Sequence, residues 1–201
     1  MSNEDAVAIL IHGMVEESLR VKSRFFAENA ALLAQASEVI AHGFRNGRKV
    51  LLFGNGGSAA DAQHVAAEFI GRFAVERTPL PAISLSTDTS ILTAIGNDYG
   101  FDAVFARQVT ALGQAGDTVI AISTSGNSPN VLHGVAAAKA KGLYTVGLTG
   151  ETGGKMSGAV EVLFRVPSRY TPRIQETHIM IGHILCELID RQLFPDKYPR
   201  D

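Results

Sequence analysis

Cysteine is almost absent from this 201-residue chain: Cys186 stands alone, so no disulfide can form within it, and such sparing use of thiols suits a reducing, cytoplasmic setting. No run of Lys or Arg occurs, and the formal net charge is −2, which disfavours a nucleic-acid-binding face. No apolar run approaches the ~18 residues that a membrane helix needs. The start, Met1-Ser2-Asn3-Glu4-Asp5, is acidic where a secretory signal would be basic. Linkers, repeats and low-complexity segments are also missing. One domain with a full hydrophobic core is therefore expected. Cys186 lies in the apolar stretch Ile184-Leu185-Cys186, where a packed core thiol is expected rather than a nucleophile.

What is present falls into two patterns. Over residues 1–46, Leu10, Ile11, Met14, Val15, Leu19, Phe25, Phe26, Leu32, Leu33, Val39 and Ile40 recur at helical spacing, with no strand among them. This segment reads as a helical extension. It carries more apolar surface than one sheet face covers, which points to an oligomer interface. After the turn at Asn46-Gly47, strands and helices alternate over residues 47–201. Strands are predicted at Lys49–Phe53, Ala82–Leu85, Thr118–Ile122, Thr145–Leu148 and Val160–Val166. Helices are predicted to begin near Ser58, Ser90, Phe101 and Pro129, with a last one over Pro172–Leu193. Three of the strands are continuous apolar runs, as in a parallel sheet buried on both faces. The fold class is a doubly wound α/β domain, in which ligands bind beyond the carboxyl ends of the strands.

Two of those strand ends look chemical. The first strand runs into Gly54-Asn55-Gly56-Gly57-Ser58 and opens directly into a helix, presenting bare N–H groups and the positive end of a helix dipole to an anion. Ser58 and Asp61 form an S-x-x-D helix-start pattern. From that start, His64 and Glu68 share one helical face. The third strand ends in Ser123-Thr124-Ser125-Gly126-Asn127-Ser128, four hydroxyls in six residues, with Ser128-Pro129 as N-cap and N1 of a helix. Hydroxyls converging on a helix N-terminus suit a phosphate monoester, although Ser is also simply a good turn residue.

Taken alone, these residues leave alternatives open. Gly54–Ala59 also fits the G-x-G-x-x-A pattern of a dinucleotide site, but Glu76 lies in a loop before the second strand and Asp88 is too far along the sequence to serve the ribose. His64 on an Ala-rich helix can be a packed or surface histidine, Glu68 a solvated charge, and His183, between Gly182 and Ile184, a satisfied core histidine. His133 and His178 read as structural.

In combination the motifs resemble the sugar isomerase (SIS) domain family, and within it the phosphoheptose isomerases. The likeness rests on Gly54 to His64, on Glu68, on Thr87-Asp88-Thr89 with Leu92 to Asp98, on Ser123 to Ser128, and on Arg173-Ile174-Gln175-Glu176 through to His183. The resemblance implies a five-stranded parallel sheet in a cytoplasmic homotetramer. It implies that Asn55, Gly56, Gly57, Ser58, Asn97 and Asp98 contact a phosphorylated seven-carbon sugar, and that Ser123, Thr124, Ser125 and Ser128 bind its phosphate. His64, Glu68, Gln175 and His183 would hold one zinc ion per subunit, with Glu68 and His183 as the acid–base pair; for Gln175 an orienting hydrogen bond to substrate is the other reading. The implied reaction converts D-sedoheptulose 7-phosphate to D-glycero-D-manno-heptose 7-phosphate in bacterial heptose synthesis. A branch of the family that lacks the glutamate and histidine regulates rather than catalyses; Glu68 and His183 are both present here. On one helix Gln175 and His183 would lie ~12 Å apart along the axis, which leaves room for a second subunit to complete the site.

Overall fold

The computed structural model describes residues 3–198, so Met1 and Ser2 of the acidic start lie outside the described residues. The order of elements is α1 (Asn3–Arg45), β1 (Val50–Gly54), α2 (Gly57–Ile70), β2 (Ala82–Ser84), α3 (Thr89–Tyr99), α4 (Val104–Leu112), β3 (Thr118–Ile122), α5 (Pro129–Ala140), β4 (Tyr144–Thr149), β5 (Val162–Arg165) and α6 (Thr171–Leu193). Every neighbouring pair of strands is parallel, and the sheet order is β2-β1-β3-β4-β5.

The sheet is buried on both faces, which explains its continuous apolar strands. Val50, Leu52, Ile120, Ile122, Val146 and Leu148 pack against α1, α2 and α6. Leu51, Phe53, Val119 and Ala121 point the other way, towards α4 and α5. Alternate residues thus serve opposite layers, as the pleat requires.

The sheet order has a consequence for ligand binding. The chain leaves β1 towards β2 on one side, and β3 takes the other side, so the crevice opens where the order reverses. Gly54 at the end of β1 pairs with Ile122 at the end of β3. The glycine turn and the serine loop therefore emerge next to each other.

Three elements differ from the sequence reading. Residues 3–45 form one unbroken helix. Its first half has few neighbours: Val7, Ile9, Leu10, Ile11, Met14, Val15 and Leu19 are all exposed, and burial begins at Val21. Helix α2 starts at Gly57, with Gly56 as N-cap and no side-chain cap bond, so Ser58 and Asp61 are not a capping box. Ser58 is instead buried in the first turn. The last strand begins at Val162 rather than Val160 and is only four residues long.

Candidate active site

The glycine turn after β1 takes its shape from two requirements. Gly56 adopts φ +55°, a left-handed conformation that a residue with a side chain resists. At Gly57 the missing Cβ makes room for the Gln175 amide: a Cβ there would lie 2.5 Å from Nε2, and the amide would have to swing aside. Gln175 thus crosses from α6 onto the N-terminus of α2.

Two turns further along, α2 and α6 are again in close contact. A Cβ on Gly182 would come within 2.5 Å of Val65 Cγ2. This contact allows His183 to meet His64, Nε2 to Nε2, at 2.8 Å. Glu68 Oε1 lies 3.3 Å from the same His64 nitrogen. One ligand atom from each of His64, Glu68 and His183 falls within 4.8 Å of the others. Two imidazole nitrogens and a carboxylate oxygen turned to one point form a donor set suited to a divalent ion with a coordination position left open. Phe73, from the loop after α2, lies against His183 with ring centroids 5.7 Å apart.

Asp61, one turn before His64, was read from the sequence only as part of a helix-start pattern. Its Oδ2 is buried without a hydrogen-bond partner. Burial pushes this carboxyl up to about 6, with the nearby His64 acting in the opposite direction.

The serine loop after β3 gathers its hydroxyls. Ser123 Oγ lies 3.0 Å from Ser128 Oγ and 3.4 Å from Ser125 Oγ, and Ser125 Oγ also accepts from the Asn127 N–H at 3.1 Å. Ser128 is the N-cap of α5 and Pro129 opens the helix, yet the Ser128 hydroxyl makes no cap bond. The hydroxyl faces Ser123 and leaves the helix N-terminus without a cap bond from Ser128. The loop is joined to the glycine turn by a reciprocal amide pair. Asn55 Nδ2 donates to Asn130 Oδ1 and Asn130 Nδ2 to Asn55 Oδ1, each at 2.9 Å. The Asn55 side chain is therefore engaged in holding the two loops together. Asn130, buried at the start of α5, is a residue that no motif flagged.

Asn97 and Asp98 lie on α3. Both are exposed, on a helix with no buried residue, and Asn97 donates to Asp98 at 2.7 Å. The acidic residues of the dinucleotide reading are otherwise occupied: Asp88 caps α3 through Ile91 N, and Glu76 pairs with Arg72 on the surface. His178 is buried and bonded to Thr149 O, while His133 lies 3.2 Å from Asp102 O. Cys186 is fully buried, and burial pushes its thiol far up, out of the range of a nucleophile.

Comparison with known proteins agrees with this arrangement. Residues 15–150 match the SIS domain. A phosphoheptose isomerase from Thermodesulfovibrio yellowstonii is 55% identical over 179 residues, covering 89% of each chain. The solved structure of a phosphoheptose isomerase from Neisseria gonorrhoeae superposes with a TM-score of 0.86 at 46% identity, over 92% of this chain and 98% of the other. One from Francisella tularensis gives 0.88 at 38% identity, over 95% and 100%. With its glycine turn, serine loop and histidine–glutamate cluster set on this sheet, the chain belongs to the SIS domain family, in the branch whose curated members are phosphoheptose isomerases.

Proposed function

We propose that this enzyme is an aldose–ketose isomerase that converts D-sedoheptulose 7-phosphate to D-glycero-D-manno-heptose 7-phosphate. The observation that carries the reading is the convergence of His64, Glu68 and His183 at one point, on a fold whose glycine turn and serine loop emerge from neighbouring strand ends. The serine loop takes the phosphate through Ser123, Thr124, Ser125, Ser128 and the N-terminus of α5. The glycine turn, with Asn55, Gly56, Gly57 and Ser58, lies along the sugar, and Gln175 reaches it from α6.

The reaction removes a proton from C1, passes through an enediol(ate) and returns a proton to C2, while the hydroxyl proton changes oxygen. Glu68 turns Oε1 towards His64, which leaves Oε2 to take the carbon-bound proton. His183 exchanges the oxygen-bound proton in a state in which its ring nitrogen is not held by a metal. A zinc ion held by His64, Glu68 and His183, with Gln175 as fourth ligand or as a substrate-orienting amide, would polarise the carbonyl and stabilise the developing negative charge.

Residues 1–46 act in this reading as an oligomerisation extension to the catalytic unit 47–201. The apolar side chains exposed on α1 support a homotetramer, as does the groove between α1 and α6 lined by Leu19, Phe26, Leu33, Met180, Ile184 and Leu188. A cytoplasmic location and the absence of membrane or nucleic-acid partners complete the proposal. Among the described residues no helix is long and apolar enough to cross a membrane.

The test is turnover of sedoheptulose 7-phosphate by the purified protein and by Glu68→Gln and His183→Ala. We expect the wild type to be active and each variant to lose roughly 10²–10⁴ in turnover, the usual size for a proton-transfer group, while remaining folded. A wild-type protein that binds the sugar phosphate without converting it would favour a regulatory member of the family. Near-wild-type turnover in either variant would remove that residue from the mechanism.

A further inference from the structure

Arg77 belongs to no motif, and it lies in the loop between α2 and β2. Its side chain is nonetheless completely buried, as is that of Asp190 on α6. Arg77 Nε donates to both Asp190 oxygens, at 3.0 and 3.2 Å. Nη1 donates to Phe69 O at 2.6 Å, Gly71 O at 3.1 Å and Thr78 O at 3.3 Å, and Nη2 donates to Glu68 O at 2.8 Å. Among these acceptors are the carbonyls at the end of α2, which have no partner within the helix and carry the negative end of its dipole. Asp190 follows His183 by seven residues, two turns of α6, and so lies on the same helical face.

We propose that Arg77 and Asp190 are positioning residues for the His64–Glu68–His183 cluster. One guanidinium fastens the last turn of α2, which carries Glu68, to the face of α6 that carries His183. It thereby sets the spacing between carboxylate and imidazole. This rests on the metal and proton-transfer reading given above. Stability alone gives no reason for the pair, because an apolar pair of similar volume often holds two helices as well or better. Geometry does give a reason. Only a planar, five-donor fork can address a carboxylate and several helix-terminal carbonyls from one point, and lysine cannot.

The test uses the full-length protein and three changes: Arg77→Lys, Asp190→Asn, and the paired Arg77→Met with Asp190→Leu. Cobalt(II) affinity and its ligand-field spectrum are measured beside thermal unfolding, kcat and KM. The expected result is cooperative unfolding with cobalt bound roughly 10–100-fold more weakly, the usual cost of losing support behind a metal ligand, and a lower kcat at nearly unchanged KM. A folded variant with wild-type cobalt affinity, spectrum and kcat overturns the proposal, even if its melting temperature has fallen. Should the wild type bind no cobalt, or bind it undiminished after His64→Ala, the metal reading itself fails. The brace is then judged on turnover, and an unchanged kcat in Arg77→Lys overturns it.

Discussion

Ser128 carries a hydroxyl that its own helix does not use. At a helix N-cap its oxygen would ordinarily satisfy a backbone N–H, but here it faces Ser123. Ser128→Ala should therefore leave α5 intact and raise KM for the phosphorylated sugar by roughly 10-fold or more, since a hydrogen bond to a charged group contributes about 1.5–3 kcal/mol. Equal turnover of free sedoheptulose and its phosphate would contradict the phosphate assignment. His178 is a residue of the opposite kind, buried and turned away from chemistry. Burial lowers it from 6.5 to about 4, against the raising effect of its bond to Thr149. The unfolded chain takes up this proton first as pH falls, so the stability that His178 contributes is complete above about 6.5 and is lost progressively down to about 4. Asp61 runs the other way: burial raises it from 3.8 to about 6, so its contribution declines as pH rises through that interval. In an Asp61→Asn background we expect the urea midpoint to fall between pH 6.5 and 4. If the midpoint falls just as far when His178→Asn is added to Asp61→Asn, His178 is not held neutral by the fold.

At the scale of elements, the site depends on how closely α2 and α6 approach. Val65 is β-branched and stiff in a helix, so a methyl group added at Gly182 must either part the helices or turn Val65 off its rotamer. Gly182→Ala should destabilise by about 1–3 kcal/mol, the usual cost of overpacking, and should lower kcat by separating His183 from His64. Adding Val65→Ala makes room for the new methyl, and we expect it to restore much of the lost turnover. If Gly182→Ala reduces stability but leaves kcat intact, the helix spacing does not control the chemistry. The charge network at the other end of α6, where Arg173 meets Glu17 and Glu176 and Ser18 donates to Glu176, ties this helix to α1 as well. Helix α6 is thus held at both ends.

For the whole molecule, the cluster of His64, Glu68 and His183 comes from one chain, whereas Asn97 and Asp98 stand exposed on a helix with no buried residue. A second copy packed on the apolar surface of the first could bring α3 to its neighbour's site. Mixed oligomers separate the two contributions. Glu68→Gln combined with His183→Ala should remain inactive, because no chain carries an intact cluster. Glu68→Gln combined with Asp98→Ala should regain activity, because one chain supplies the cluster and the other supplies Asp98. No recovery in verified mixed oligomers would place every group within one chain.

Much of the fold, and the places of the glycine turn and the serine loop at the strand ends, was legible in the residues themselves. Short continuous apolar runs bounded by turns, such as Val119–Ile122, suit strands covered on both faces, and Ser128-Pro129 opens a helix by its own local geometry. The helical character of residues 3–45 also followed from their spacing, because helical periodicity is a property of neighbours in sequence, but their continuity as one helix did not. The start of α2 misled, because Gly56 caps it through backbone conformation and no side-chain pattern records that. The roles of Arg77, Asp190, Asn130 and Gly182 were invisible for a different reason. Each acts on a partner far away in the chain: Arg77 on Asp190 113 positions later, Asn130 on Asn55 75 positions earlier. Local physics, from backbone propensity to apolar periodicity, can be read along a sequence. The spacing of His183 from Glu68 is decided only when two helices from opposite ends of the sheet domain pack against each other, because close packing depends on which surfaces meet rather than on which residues are neighbours in the chain.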